Sequence, residues 1–196
     1  MTEHLQVVKR IIRYVTSTLD YGLHYPRFPG VEHFIGYSDI DHTGDIDMSR
    51  STSVMMFFLS KCLVSWQSVK QQVVALSSCE AEYIAASTAS TQALWLARLL
   101  GDLLGRDIGA VELRVDSKSA LALAKNPVFH ERSKHIRVRY HFIRGCLEDG
   151  SIKASYINTK DQLADLLTKP LGRIKFLELC SRTGMVQSSH KTTHKT

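Results

Sequence analysis

The residue pattern of this 196-residue chain predicts an α/β fold: a mixed five-stranded sheet, its first three strands antiparallel, flanked by helices. Two observations carry the expectation. Apolar runs rich in β-branched and aromatic residues at 34–39, 51–59 and 62–66 follow one another through short connections, the second of them the turn Ser60-Lys61, which suits antiparallel neighbours. Downstream of a long helical stretch, strand-like and helical periods then alternate: 111–115, 117–125, 133–147 and 151–157, followed by one more helix.

Taken in order, the chain opens with helical periodicity over 3–18. Leu5, Val8, Ile11, Ile12 and Val15 share one face and Lys9, Arg10 and Arg13 lie opposite, a basic amphipathic helix suited to docking on a core with its charged face in water. Pro26, Pro29 and Gly30 then break regularity. After the three strands, Ser77 followed by Glu80 forms a capping box that fixes the phase of a long helix. In that phase Glu82, Ala85, Ala86, Ala89, Ala93, Leu96 and Leu100 recur at spacings of three and four, a stripe of small and apolar residues facing a core. Glu80 lies about 200° around the helix from Glu82, so Glu80 caps and Glu82 points inward. Thr159 with Gln162 forms a second capping box, opening the helix that carries Asp165.

A carboxylate at the edge of a buried stripe needs a partner, because an unpaired buried charge is costly. Asp39 at the end of the first strand, Asp116 after 111–115 and Asp165 near a helix start are placed to meet Glu82. Four acids converging on one point repel without a cation, so convergence implies a divalent metal with oxygen ligands, magnesium above all. Unrelated surface acids and caps account for the same spacing equally well. Each ligand has a rival nearby. Asp41 lies where the strand gives way to a loop, and Asp161 falls in a first helical turn where the macrodipole accounts for an acid, with Asp165 a full turn deeper.

Composition sets outer bounds. Hydrophobic residues at 44% and charged residues at 22% describe a globular chain rather than a disordered one. No apolar run is long enough to span a bilayer, and the basic start is unlike a signal peptide, so the expectation is an intracellular protein with no membrane partner. A formal charge of +6 and a pI near 9.2 favour a polyanionic partner. Four scattered cysteines give neither a metal-ligand pair nor a disulfide framework. Residues 185–196, rich in Ser, Thr and His, read as a disordered tail.

Longer motifs carry a resemblance. Tyr37-Ser38-Asp39-Ile40-Asp41, Arg50-Ser51-Thr52-Ser53, Ala75-Leu76-Ser77-Ser78-Cys79-Glu80-Ala81-Glu82-Tyr83 and Val115-Asp116-Ser117-Lys118-Ser119-Ala120 occur in this order. They are followed by the run 125–136, by Arg139-Tyr140-His141-Phe142-Ile143-Arg144 and by the run 161–171, which includes Asp161-Gln162-Leu163-Ala164-Asp165. Together they resemble the ribonuclease H domain of copia-type LTR retrotransposon Pol polyproteins up to about Gly184. Residues 3–18 and Asp20-Tyr21-Gly22-Leu23-His24-Tyr25 resemble the last helix of that family's reverse transcriptase region. The resemblance implies that 1–30 is the end of a reverse transcriptase region, starting after the polymerase palm, and that 31–184 is a ribonuclease H-like domain.

It further implies endonucleolytic hydrolysis of the RNA strand of RNA·DNA hybrids, leaving a 5′-phosphate and a 3′-hydroxyl, with the reverse transcriptase domain of the same polyprotein as partner and no small-molecule cofactor. Asp39 would bridge two Mg2+ ions, with Mn2+ as their substitute, and Glu82, Asp116 and Asp165 would complete the ligand set. Such ions, about 3.5 to 4 Å apart, activate water and stabilise a leaving oxygen. His130, His135 and His141 tempt a zinc assignment, but their spacing lacks matching cysteines. Arg132, Lys134, Arg137 and Arg139 are instead assigned to the hybrid backbone, with a solvated basic face as the alternative. The chain departs from the family at Arg137, usually an acid, and at Val54, usually glycine. The loop Ile157-Asn158-Thr159-Lys160 also lacks the histidine of cellular ribonucleases H, so product release would use another group or be slow. An integrase-like enzyme would place its glutamate after both aspartates, unlike this chain. An inactive or domesticated nucleic-acid-binding relic is the remaining alternative.

Overall fold

The computed structural model describes residues 3–27, 33–41, 50–125 and 141–188. Its central strand is β2 (Phe34–Asp41), preceded by helix α1 (Glu3–Ser17) and a short strand β1 (Tyr21–Leu23). On one side β2 pairs antiparallel with β3 (Thr52–Leu59), which pairs antiparallel with the edge strand β4 (Cys62–Lys70). On the other it pairs parallel with β5 (Val111–Val115), which pairs parallel with β6 (Ile152–Tyr156). The order β4-β3-β2-β5-β6 is the expected mixed sheet with three antiparallel strands first.

Side-chain alternation along β3 shows how the sheet is buried on both faces. Met55 and Phe57 join the core against helix α2 (Ser78–Leu104), together with Leu113, Val115, Ile143 and Ile152. Val54, Met56 and Phe58 join Tyr37, Leu63, Leu163 and Leu179 on the other face, under α5 (Asp165–Thr168) and α6 (Arg173–Arg182). Helices α3 (Lys118–Lys125) and α4 (Phe142–Glu148) extend the α2 layer. Gly36 sits at the tightest point of β2, where an added Cβ would lie 2.6 Å from a Phe57 ring carbon. No helix among the described residues is long and apolar enough to cross a membrane. All four cysteines are free, Cys146 and Cys180 buried.

Several expectations are corrected. Helix α1 forms as predicted, but none of its residues is buried, so its apolar face does not dock on this core. Strand β2 runs two residues past Asp39, through Asp41. β4 continues to Lys70 rather than stopping at Trp66; beyond Trp66 its residues are exposed, and edge positions leave little apolar pattern to detect. Met185–Gln187, assigned to the tail, forms strand β7 and pairs antiparallel with β1. The predicted helix over 133–147 is described only from His141 onward, as α4.

The helix-opening role of Thr159 and Gln162 also changes. Thr159–Asp161 is a short 3-10 turn whose cap is the Asn158 side chain, accepting from the Lys160 N–H. Gln162 is fully buried and donates to the Ser38 carbonyl at 2.9 Å, a bond that ties this turn to the central strand.

Candidate active site

Strand register places the acids. Ser38 of β2 pairs with Val115 of β5, so the next residue of each, Asp39 and Asp116, emerges side by side at the same end of the sheet. The N-terminal part of α2, just beyond its first turn, brings Glu82 to this point. Ser77 is the helix N-cap, its hydroxyl accepting from the Glu80 N–H at 3.2 Å. Glu80, buried, reaches back with its carboxylate to the Leu76 N–H at 2.9 Å. One glutamate thus closes the cap and the other is presented to the strands. Asp39, Glu82 and Asp116 each offer a carboxylate oxygen, and these oxygens all lie within 4.8 Å of one another.

Asp165 is the buried first residue of α5, not a residue one turn deep in a helix begun at Thr159. The helix nevertheless brings three groups to the cluster. The Thr168 hydroxyl donates to Asp39 Oδ2 at 2.6 Å, and the Lys169 ammonium lies 2.6 Å from Asp165 Oδ1 and 3.8 Å from Asp39 Oδ2. Pro170 follows Lys169, which has the extended backbone that a pre-proline residue prefers (φ −120°, ψ 140°), and α5 ends there. Thr159 donates to Asp116 Oδ2 at 3.4 Å.

The rival acids behave otherwise. Asp161 is exposed and paired with Arg182 at 3.2 Å, while Asp41 is only partly buried at the end of β2. Arg132, Lys134, Arg137 and Arg139, and the histidines His130 and His135, lie outside the described residues. His141 is described, and its Nδ1 shares a 2.9 Å hydrogen bond with the Tyr83 hydroxyl. Lys169 and Thr168 were given no role by sequence reasoning. The i,i+4 spacing of Asp165 and Lys169 was the available signal.

Electrostatics follow from burial among like charges. Burial, and then Asp116 and Asp39, push the Glu82 carboxyl up to about 8. Asp39, 2% exposed, is pushed up to about 7 by burial, against the Thr168 hydrogen bond and the nearby Lys169 ammonium. Burial raises Asp116 as well, and Asp165 adds to the repulsion on all three. Glu82 Oε2 and Asp116 Oδ1 are buried without a hydrogen-bond partner. Oxygens left this way, on carboxylates facing one another, fit a hard divalent cation that takes oxygen ligands.

No protein-family model matches the chain. It is 39% identical over 185 residues to the retrovirus-related Pol polyprotein from transposon RE1 of Arabidopsis thaliana, a match covering 94% of this chain and 13% of that protein. It is 44% identical over 179 residues to the retrovirus-related Pol polyprotein from transposon TNT 1-94 of Nicotiana tabacum, covering 91% of this chain and 13% of that one. Among solved structures, RNase H1 from the halophilic archaeon Halobacterium salinarum NRC-1 superposes with a TM-score of 0.47 at 14% identity, covering 67% of this chain and 90% of that one. Spanning 13% of the length of these relatives, and matched along more than nine-tenths of its own, the chain belongs to the retrovirus-related Pol polyproteins of transposons as one segment of them.

Proposed function

We propose that this segment is a ribonuclease H that cuts the RNA strand of RNA·DNA hybrids during reverse transcription, with Asp39, Glu82, Asp116 and Asp165 as its catalytic and metal-binding residues. The observation that carries the reading is the meeting of three acids from β2, α2 and the end of β5, with two of their oxygens buried and unpartnered. Mg2+, or Mn2+, held by the four carboxylates would supply water activation and charge stabilisation at the phosphodiester.

The remaining work falls to the chain itself. Thr168 and Thr159 fix the rotamers of Asp39 and Asp116, and the glutamine bond from Gln162 to Ser38 holds the α5 segment against the central strand. The acids sit on strands and near helix starts, on rigid elements, at one end of the sheet. In the reaction a water oxygen bonds to phosphorus, the bond from phosphorus to the 3′-oxygen breaks, and that oxygen leaves with a proton. The products are a 5′-phosphate and a 3′-hydroxyl. Arg132, Lys134, Arg137 and Arg139 are assigned to the hybrid backbone, in keeping with a net charge of +6. Helix α1, with Leu5, Val8, Ile11, Ile12 and Val15 all exposed, is assigned to packing against the reverse transcriptase part of the same polyprotein.

The test is incubation of the purified chain with a hybrid labelled on its RNA strand, with magnesium or with EDTA, beside the Asp39→Asn protein. Cleavage confined to the RNA strand, dependent on magnesium, weakened by salt and absent from the variant is expected. Equal cleavage by Asp39→Asn or in EDTA, or none under any condition, overturns the proposal.

A further inference from the structure

The acid cluster is divided. On one side Glu82 Oε2 and Asp116 Oδ1 have no partner. On the other, Asp165 and Asp39 already hold a cation, the Lys169 ammonium, at 2.6 and 3.8 Å. The two carboxylates are 6% and 2% exposed, whereas the lysine side chain is 39% exposed. The acids are therefore fixed in the protein and the ammonium reaches them from the solvent side. An oxygen-liganded magnesium ion sits about 2.0–2.1 Å from its ligands, so an ion taken up by Asp165 Oδ1 and Asp39 Oδ2 would need the space next to those oxygens in which the ammonium lies. Both cannot be there together.

We propose that Lys169 is a resident cation of this site: in the metal-free protein its ammonium stands in for a divalent ion between Asp165 and Asp39, and an ion binds there only as the ammonium leaves. The inference rests on the reading of the four acids as metal ligands. It assigns unequal affinities to the two halves of the cluster. The half formed by Asp39, Glu82 and Asp116 takes an ion without displacing anything. The half formed by Asp39 and Asp165 must first break the Lys169 pair, so ion and ammonium weaken each other reciprocally. Extended backbone before Pro170 holds the Cα of Lys169 in place, and rotation of the four-carbon stem alone moves the charge. The device keeps two deeply buried carboxylates partnered whenever metal is scarce.

Calorimetric titration of magnesium into metal-stripped protein, paired with melting curves in EDTA and in saturating magnesium, tests this with no reference to turnover. Wild type is expected to show one stronger and one weaker binding event. Lys169→Met keeps the aliphatic stem and should tighten the weaker event by about tenfold or more, while Lys169→Arg should leave it weak. The methionine protein should also melt lower than wild type in EDTA and recover in magnesium. Titrations of Lys169→Met and wild type that superpose, or an equal loss of melting temperature with and without magnesium, would make Lys169 a structural ion pair and nothing more, overturning the inference while leaving the metal site standing. Absence of magnesium binding by both proteins overturns the metal site itself, and this inference with it.

Discussion

Two groups of charges on the same strands differ in how they are satisfied. Within the strands, Glu112 accepts from Arg114 at 2.9 Å and from Ser155 at 3.3 Å, and Arg114 in turn donates to the Tyr37 hydroxyl at 3.0 Å and lies over its ring. These hydrogen bonds, that of Arg114 foremost, hold the Glu112 carboxyl below its ordinary range. At one end of the sheet, Asp39 within β2, Glu82 near the start of α2 and Asp116 just after β5 are pushed the opposite way by burial, and two of their oxygens face no donor. A network whose members are paired is explained by the fold. A network left partly unpaired by the fold points to something the fold was not built to supply, which on the proposed reading is a divalent cation.

The comparison can be broken most directly by neutralising the second group. Asp39→Asn, Glu82→Gln, Asp116→Asn and Asp165→Asn are each expected to lower the rate of hybrid cleavage by at least about a thousandfold, because ligands acting as one unit fail together. The melting temperature in EDTA should be unchanged or higher for Glu82→Gln above about pH 8, where the buried, repelled charge it removes is present. A variant of the four that keeps wild-type rates would remove that acid from the site.

A pH series sharpens the same contrast. The folded-state values of Asp39 and Glu82, about 7 and about 8, stand above their ordinary 3.8 and 4.5, so the folded chain binds more protons than the unfolded chain between those limits. Their contribution to stability is present in full below about pH 4 and is lost as pH rises through 7 and 8. The melting temperature of metal-free protein is therefore expected to fall from about pH 5 to about pH 8, and saturating magnesium should abolish the fall. A flat profile without metal would show that the acids are not held as the geometry requires.

Smaller effects are expected from the paired charges. Glu112→Gln should cost about 1 kcal/mol or less, because its pair is partly exposed, and should leave cleavage unaltered. Asp161→Asn and Glu80→Gln disturb helix-terminal contacts and should cost about 0.3–1 kcal/mol each, with rates within a factor of a few of wild type. Urea melts and initial rates on one set of proteins measure both. A dead Asp161→Asn beside an active Asp165→Asn would reverse the choice within that pair.

What the sequence made legible follows physical range. Runs such as Val111–Val115 declare themselves because apolar residues there have no alternative to burial, and Ser77 with Glu80 declares a helix start because capping is local. The meeting of Asp39, Glu82 and Asp116 could be anticipated because a strand, the end of its neighbour and a helix start confine where they project. Other features depend on partners distant in the chain. Leu5, Ile11 and Val15 mark an amphipathic face but say nothing of what covers it, and among the described residues nothing buries it. Gln162 was taken for a cap because its use, a bond to Ser38 across 124 residues, leaves no local trace. Thr159 lost the capping position to Asn158, one residue earlier, since both side chains can do the same work. Lys169 stayed unremarked for a similar reason: an Asp–Lys pair four residues apart is ordinary on any helix, and only the meeting of α5 with β2 makes it part of a cluster.

The pairing of β1 with β7 has a consequence for architecture at large. Tyr21 lies opposite Gln187, the His24 N–H donates to the Gly184 carbonyl at 2.9 Å and the Ser188 N–H to that of Asp20 at 2.7 Å. The backbone therefore enters and leaves the nuclease fold through one gate, its two strands about 4.8 Å apart. Where a longer polypeptide continues on both sides, the unit hangs from it as a pendant, and the modules before and after it are drawn together at its neck. Lengthening or shortening the loops of the pendant would leave that junction where it is.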